Sequence, residues 1–558
     1  MRPKFRILAS VMALVAALAA TGCATIPQYS EVKYGSNVKA GLNSDYLYYS
    51  PTEPTDGMTR EEILRGFLNA ATGPQNDYAV ARQYLSSGLR SDWLPTQEVL
   101  IQEGQAKSNF LFQNIATVEV GVQASVDSLG HYSRLPEGTK RVLDYAFVKQ
   151  NGQWRISAAP NVTVLLRPVF DVIFRNYSVY FWNSNRSQLV PDLRWFPARA
   201  STATRLVTAV LEGPSDWLVN TSSAAPKGTE LALDSVTEVD GVAQVNLTPE
   251  FLTAGPNQRQ YFREQLRATL SQLGQVNDVR ILVQNSPQDI PALAVPKPAE
   301  DPANPFVMSE FALSQLDSPS QVNIGKAKRY LQLLQASDFA LNAGANLLAI
   351  KHAGGVSLVS LQAVTDDARI VDPRTELLSP QFDQNNQLWT ATANGDAGFA
   401  ITSSDSTSYF APNWLKDLKV RDFALSPEGD RLAVLAGSDG KFLTFVLAVK
   451  RSAGGIVTGL GNPIQLPTHS GSPVSLSWGN ATQVLVLYRE FGSANTIPVS
   501  YLVGGDSREL GRVPDGARII GSNTGSVLVL TTDGVLLEYR GYSWTTLTSQ
   551  VQAVKFAG

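Results

Sequence analysis

Residues 423–434 read Phe-Ala-Leu-Ser-Pro-Glu-Gly-Asp-Arg-Leu-Ala-Val, and a related stretch lies 84 residues earlier in the chain. There, Phe339-Ala340-Leu341-Asn342 is followed by the apolar run Leu347-Leu348-Ala349. In the later copy we expect a strand to end at Ser426 and the next buried strand to start at Leu432, because Pro-Glu-Gly-Asp favours a turn between them. The separation of the two copies is twice an interval of 42 residues.

Weaker copies of the same pattern occur at three more places in the last third of the chain. They are Ser379-Pro380 with Leu388-Trp389-Thr390, Leu476-Ser477-Trp478 with Val484-Leu485-Val486, and Ile519-Ile520 with Val527-Leu528-Val529. A period of about 40 to 50 residues with four short strands per unit is typical of propeller blades. The sequence therefore predicts an all-β propeller at 326–558, with five or six blades and a strand near Val554–Phe556 that closes the ring. A β-sandwich is the alternative.

The N-terminal residues carry the only cysteine of the chain, Cys23, after the apolar run Ile7–Ala20. That run is too short to cross a bilayer, and with the basic residues before it the pattern predicts a signal peptide at 1–22. Ala20-Thr21-Gly22-Cys23 resembles the lipobox of bacterial lipoproteins, with Ala20 where Leu is commonest. The resemblance implies cleavage between Gly22 and Cys23, S-diacylglycerol on the thiol and an N-palmitoyl-type chain on the new amine. A plain secretory signal that contains a cysteine is the alternative.

The composition of the remaining chain narrows the classes of protein that fit it. With a single cysteine, the exported domains cannot form an internal disulfide and depend on their cores. Removing residues 1–22 takes away three positive charges and no negative ones, which changes the formal charge from −3 to −6. A mildly acidic chain without basic runs is a poor nucleic-acid binder. After the signal, no stretch is apolar enough to span a membrane.

The segment after the lipobox is predicted to be a tether at 23–57, with a tyrosine cluster at Tyr46–Tyr49 as a candidate docking segment. An α+β domain follows at 58–170. Thr59 and Glu62 have capping-box spacing before a helix, a second helix starts near Asp77, and alternating residues at 118–126 indicate a half-buried strand. Two helices followed by an antiparallel sheet are similar to a nuclear-transport-factor-2 (NTF2)-like cone.

The next unit, at 171–285, has the marks of a GerM-type (GerMN) domain of envelope proteins. These marks are Leu189-Val190-Pro191, Leu211 to Pro214, Pro226 to Thr229 and Val245 to Thr248. Such domains are known chiefly as modules without catalytic activity. The segment 286–325 contains seven prolines and little pattern, and it is predicted to be a Pro-rich linker.

Residues that could carry chemistry are scattered. The three histidines, His131, His352 and His469, lack the short spacing of metal ligands, and no phosphate loop or hydrolase elbow occurs. Asp366-Asp367 with nearby Asp372 is the densest acidic group of the propeller, and solvated loop acids are the simpler interpretation. Six tryptophans could line a carbohydrate groove or fill the cores: Trp182, Trp195, Trp217, Trp389, Trp478 and Trp544. We expect no catalytic residue, metal or cofactor.

The order of lipobox, cone-like domain, GerM-type domain and propeller resembles, over essentially the whole chain, the actinobacterial LpqB lipoproteins. The resemblance implies a lipid-anchored protein of the cell envelope, held at the extracytoplasmic face of the cell membrane. It also implies an accessory role in two-component signalling, in which the chain contacts the extracytoplasmic region of an MtrB-type sensor histidine kinase. The alternatives are a module that binds peptidoglycan or polysaccharide through the propeller and, third, a propeller hydrolase or lyase built on Asp366-Asp367.

Overall fold

The computed structural model describes residues 51–112, 114–199, 201–232, 235–293, 304–316, 324–363, 368–393, 398–404 and 406–558. Residues 48–558 form one compact unit. None of the helices in these described ranges is long and apolar enough to cross a bilayer.

The first domain packs two helices against a six-stranded sheet of order β5-β4-β2-β1-β6, with β3 beside β2. Its elements are α1 (Arg60–Ala70), α2 (Ala79–Gln83), β1 (Glu98–Phe112), β2 (Ile115–Asp127), β3 (Tyr132–Arg134), β4 (Lys140–Gln150), β5 (Gln153–Ala158), β6 (Val162–Leu166) and α3 (Arg167–Ile173). The capping box forms as predicted, since the Glu62 amide donates to Thr59 Oγ1 and the Thr59 amide donates to Glu62 Oε2. The second helix is shorter than its apolar pattern, because Tyr78 adopts a left-handed conformation at its start.

The second domain has two sheets, β8-β7-β9 and β10-β11-β12-β13, packed around two helices. Its elements are β7 (Phe174–Asn183), β8 (Leu189–Pro197), α4 (Thr202–Glu212), β9 (Thr221–Ser222), β10 (Thr237–Val239), β11 (Val242–Leu247), α5 (Pro256–Leu270), β12 (Asp278–Val283) and β13 (Ser286–Pro287). Asp240 and Gly241 connect β10 to β11 with positive φ angles, which is the backbone a two-residue hairpin needs.

The third domain is a β-propeller, and within the described residues it consists of six sheets. The first two four-stranded blades are β16 (Asp338–Leu341), β17 (Leu347–His352), β18 (Gly355–Ser360) and β19 (Ala368–Asp372), then β20 (Gln381–Phe382), β21 (Leu388–Ala391), β22 (Phe399–Ser403) and β23 (Ser406–Phe410). The third blade is β24 (Lys419–Leu425), β25 (Arg431–Ser438), β26 (Lys441–Arg451), β27 (Val457–Leu460) and β28 (Ile464–Gln465). The β-sandwich alternative is wrong.

The remaining blades follow the same plan. The fourth is β29 (Ser472–Asn480), β30 (Gln483–Arg489), β31 (Asn495–Leu502), β32 (Ser507–Glu509) and β33 (Val513–Pro514), and the fifth is β34 (Gly516–Gly521), β35 (Val527–Thr531), β36 (Leu536–Tyr539) and β37 (Trp544–Thr548). The two copies of the opening pattern are the first strands of blades one and three, and their 84-residue separation spans two blades.

The Pro-rich segment at 286–325 differs from the linker that the sequence predicts. It contains β14 (Phe306–Ser309) and β15 (Ala312–Gln315), and helix α6 (Ile324–Leu333) starts at its end. Strand β14 pairs with the C-terminal strand β38 (Ala553–Lys555), so these three strands complete the sixth sheet. The physical reason is local, because the run from Phe306 to Gln315 lacks proline, and the high proline count of the whole segment obscures it.

Candidate functional site

Several residues singled out by the sequence lie outside the described residues. They are Gly22 and Cys23 of the lipobox, the Tyr46–Tyr49 cluster, and the acidic pair Asp366-Asp367. Lipidation at Cys23 and cleavage after Gly22 therefore stay predictions.

The three histidines occupy three separate places. His131 lies 2.7 Å from Asp127, His352 lies 2.8 Å from the Ser357 hydroxyl, and His469 lies 3.0 Å from Glu509. Among the residues with described positions, no group of His, Cys, Asp and Glu has the geometry to hold a metal ion. Each histidine makes a local polar contact.

Asp372, the described member of the acidic group, is tied into an ion pair. Arg374 Nη2 lies 2.7 Å from its carboxylate, and the hydroxyl of Thr390 also donates to it. Burial raises the pKa of Asp372, but the hydrogen bonds from Arg374 and Thr390 outweigh it and hold the pKa below its usual value. A carboxylate that stays ionised in this way is a poor proton donor at neutral pH.

The tryptophans mostly fill cores. Trp182, Trp195, Trp389 and Trp478 are buried, whereas Trp217 and Trp544 are half-buried. The indole N–H groups of Trp182, Trp195, Trp478 and Trp544 donate to backbone carbonyls, and that of Trp389 donates to Asp383. Because four of the six are buried, the set does not form a continuous aromatic platform, and only Trp217 of these six lines the cleft between the domains.

The axis of the propeller holds a cavity of about 140 Å³ lined by β16, β20, β24, β29, β34 and the C-terminal residues. Its lining includes the charged side chains Asp422, Arg518 and Lys555 beside Ser475. Arg518 Nη1 lies 2.6 Å from Asp338, and Asp422 accepts hydrogen bonds from the Ser475 hydroxyl and the Leu476 amide.

Charges at this axis compensate one another in a buried environment. Burial lowers the pKa of Lys555, although Asp338 opposes the shift. For Asp338, burial raises the pKa, but Arg518 and Lys555 outweigh it and hold the carboxylate ionised well below its usual pKa. The cavity can hold a small polar ligand through charge-assisted hydrogen bonds.

The turn Ser426–Arg431, which the sequence predicts only as a strand connection, is a contact between the second domain and the propeller. Glu428 and Arg431 form a buried ion pair with distances of 2.6 and 3.0 Å. The Arg431 guanidinium also donates to the carbonyls of Pro191 in the second domain and Ala481 in blade four. A Pro-Glu-Gly-Asp-Arg turn has the composition of a solvated loop, so no sequence signal indicates this role.

Asp430 continues the same interface. Asn183 of the second domain donates to Asp430 Oδ2 at 2.7 Å, and Arg451 joins Asp430 at 3.2 Å to Asp383 at 2.8 Å. Burial raises the pKa of Asp430 to about 6, with Arg451 opposing the shift and Glu428 adding to it. The carboxyl therefore titrates at the boundary between two domains.

The raised pKa of Asp430 predicts a pH dependence. Because the folded protein binds this proton more tightly than the unfolded chain does, the contribution of Asp430 to the free energy of unfolding falls as pH rises from about 4 to about 6. In urea unfolding, the free energy of unfolding of Asp430→Asn relative to that of the wild type should rise by about 1–3 kcal/mol between these two pH values. Any stability lost through the changed hydrogen bonds is independent of pH. The slope of the free energy of unfolding against pH is therefore the quantity to compare. The exposed Asp439→Asn is the control, and parallel curves for Asp430→Asn and wild type would contradict the prediction.

The first domain is joined to the other two by a second set of contacts. The Trp195 indole of the second domain donates to the Gly504 carbonyl of blade four at 2.9 Å and packs on Phe170 of the first domain. Arg134 lies 2.9 Å from Asp506 of the propeller, and Arg167 pairs with the same carboxylate. A cleft of about 660 Å³ lies where the three domains meet.

Family comparisons agree with the three domains. Residues 53–171 match the model described as the N-terminal domain of lipoprotein LpqB, residues 178–289 match the sporulation and spore germination domain, and residues 331–554 match the β-propeller domain of lipoprotein LpqB. The two LpqB models together match more than half of the chain. The chain belongs to the LpqB lipoprotein family.

Relatives named lipoprotein LpqB extend along the whole chain. The protein of Cutibacterium acnes is 25% identical over 97% of this chain and 97% of its own length, and that of Bifidobacterium longum is 25% identical over 74% of this chain and 73% of its own. A solved putative TolB from Agrobacterium tumefaciens aligns with 46% of this chain and 98% of its own, with a TM-score of 0.31 and 10% identity. That likeness is too low to bear on function, so the LpqB assignment rests on the family models and the relatives.

Proposed function

We propose that this LpqB-family protein is anchored by lipid on Cys23 at the extracytoplasmic face of the cell membrane and there binds and modulates an MtrB-type sensor histidine kinase. Membership of a lipoprotein family and the domain order support the anchored, envelope-bound part of this proposal. The candidate residues that the structure describes are engaged in structural contacts. We therefore favour a protein that acts by binding a partner over one that acts as an enzyme.

The observation that carries the proposal is that the three domains are joined into one compact unit. Buried polar groups, Arg431 with Pro191 and Asp430 with Asn183, join the second domain to the propeller, and Asp506 joins the propeller to the first domain. A compact unit of this kind can present surfaces of all three domains to one membrane partner. It would change the state of a kinase only through unequal affinity for the two states of that kinase.

The kinase contact is tested by photocrosslinking in cells from one exposed position in each domain: Leu94, Val219 and Tyr542. We expect the kinase to be captured from at least one position and not from an unrelated lipoprotein that carries the same crosslinker. Failure of all three positions, at normal protein levels, would contradict the kinase proposal while leaving the anchor untouched.

The anchor is tested separately by Cys23→Ala. Because two or more acyl chains give stable membrane retention, we expect the variant to lose its label from a palmitate analogue and to be released from the membrane fraction by a high-salt wash that leaves the wild type bound. Cys23→Ser should behave in the same way, whereas Thr21→Ser should keep the anchor. Retention of Cys23→Ala in the membrane fraction, with no acyl label on the wild type, would overturn lipidation.

A second candidate is binding of a cell-wall polymer through the propeller, and the axial cavity is the observation that favours it. Its lining of Asp422, Arg518, Lys555 and Ser475 offers polar groups to a sugar or peptide, although the buried tryptophans offer no stacking face. Sedimentation of the chain from residue 24 onward with purified sacculi tests this candidate. Lys555→Met should weaken the binding, and an equal unbound fraction with and without sacculi would remove the candidate.

A further inference from the structure

The hairpin of β1 and β2 ends in a group of exposed apolar side chains. The exposed fraction is 51% for Leu111, 74% for Phe112, 43% for Ile115 and 38% for Val148. We call these four residues the hairpin-tip patch. Large apolar side chains grouped on a surface in this way are typical of interaction sites.

The register of the sheet shows that three members of the patch share its outer face. Phe112 pairs with Ile115, and Ile115 pairs with Ala146, so Val148 lies two residues further along β4 on the same face. The neighbouring residues Phe110 and Phe147 point inward, where their ring centroids lie 6.1 Å apart. Because other side chains fill the core, the patch residues are not needed for the packing of this domain.

The second half of β1 is an edge of the sheet, while β2 beside it pairs with β4 as far as Ile115. Strand β6 pairs with β1 only as far as Gln102, whereas β1 continues with β2 alone to Phe112. The strand is exposed over most of this second half. An edge strand with an exposed aromatic residue at its end can contact a lipid surface without moving the domain core.

Cationic side chains surround the patch. The Arg60 guanidinium donates to the Phe112 carbonyl at 3.0 Å and lies 5.6 Å from the Trp154 ring, and Lys149 Nζ lies 5.1 Å from the same ring. Lys107 on β1 and Arg155, opposite Val148, add two further positive charges, against the carboxylates Glu61, Asp144 and Glu119, the last of which lies across from Lys107. The rim is therefore net positive.

Trp154 and Lys149 lie on the inner face at the same end of the sheet as the outer-face residues Phe112 and Ile115, and Arg60 contacts both the Trp154 ring and the Phe112 carbonyl. A tryptophan beside two cations, with exposed Phe and Ile at the same end, matches the chemistry of a bilayer interface. Indole rings prefer the headgroup level, aliphatic and phenyl groups prefer the acyl boundary, and basic side chains are attracted to anionic lipid. A protein surface would satisfy the apolar residues equally well, but the excess of cations at the rim favours an anionic lipid surface.

We propose that the hairpin-tip patch inserts into the headgroup region of an anionic bilayer. The inference rests on the proposed function only in that the acyl anchor would bring the domain to the membrane. If the segment at 23–57 is the tether that the sequence predicts, an anchor at Cys23 would restrict the distance of the first domain from the membrane but not its orientation. Contact at Phe112 and its cationic rim sets which side of the three-domain body faces the lipid.

The test uses the unacylated chain from residue 24 onward, which contains every residue of the compact unit at 48–558. Its flotation is measured with vesicles of phosphatidylcholine, with and without phosphatidylglycerol. We expect binding to the anionic vesicles that falls about tenfold in Phe112→Ser, because one phenyl group no longer leaves water. Lys149→Ala should weaken binding about fivefold on anionic vesicles alone.

Phe491→Ser is the matched control, because Phe491 is 78% exposed on a turn of the propeller. It should float like the wild type. Absence of wild-type binding, or equal losses for Phe112→Ser and Phe491→Ser, would overturn the proposal. If Phe112→Ser kept its vesicle binding but lost kinase crosslinking in cells, the patch would be a protein-docking surface. If the wild-type protein does not crosslink to the kinase, that result contradicts the proposed function but not the membrane contact of the patch.

Discussion

Replacing Arg431 by methionine is expected to lower the free energy of unfolding by about 3–5 kcal/mol. The Arg431 side chain is 1% exposed, and its pair with Glu428 has distances of 2.6 and 3.0 Å. Removing the guanidinium leaves the Glu428 carboxylate buried without a counter-charge, although the Ser426 hydroxyl still donates to it. It also removes the hydrogen bonds to Pro191 and Ala481, which hold the second domain and blade four against this turn.

Two variants separate the burial of charge from a general effect of losing an arginine. Arg512→Met removes the exposed pair with Glu490, at 2.9 Å, and should cost less than about 1 kcal/mol. Glu428→Gln combined with Arg431→Met should recover part of the loss, because no ionised carboxylate then remains. Urea unfolding followed by tryptophan fluorescence measures all three, and a cost for Arg431→Met no larger than for Arg512→Met would refute the argument.

Val554→Asp is expected to destabilise the propeller by about 3 kcal/mol or more. Val554 is buried in strand β38 opposite Val307, within a cluster that also contains Leu528, Leu530 and Leu536. An ionised carboxylate there would be desolvated without a partner in that cluster. The same strand joins the C-terminus to β14, so its loss would open the ring at the sixth sheet.

The control for this variant is Val239→Asp, since Val239 is 53% exposed in the β10–β11 hairpin. It should stay within about 0.5 kcal/mol of the wild type. Limited proteolysis should cut Val554→Asp within the propeller well before Val239→Asp. Equal midpoints of urea unfolding for the two variants would show that β38 does not close the ring.

Local signals predicted much of the fold. The capping box at Thr59 and Glu62 and the Asp240-Gly241 turn form as expected, because both depend on residues close together in sequence. The blade period followed from a repeated inner strand. The strands β14 and β15 were missed, because the high proline count of their segment obscures the proline-free run, and the second partner of β14, β38, lies more than 230 residues away.

The candidate sites divide in the same way. Lipidation at Cys23 is predicted from a local sequence motif, and the Cys23→Ala experiment tests it. The axial charges at Asp338, Arg518 and Lys555 come from three different sheets, and their proximity is not encoded near any one of them. The hairpin-tip patch is likewise visible only once the inward and outward positions of each strand are known.

The amino-acid sequence by itself determined the blade repeat, the order of the domains and the family, because each depends on spacing along the chain. The tertiary structure alone decided which charges are buried against which, how the three domains meet at Arg431, Asp430 and Asp506, and which apolar residues stay exposed at the hairpin tip. The physical reason is that burial and pairing depend on groups brought together from distant positions. A charged turn or an exposed phenylalanine has the same local sequence whether it faces water, a neighbouring domain or lipid.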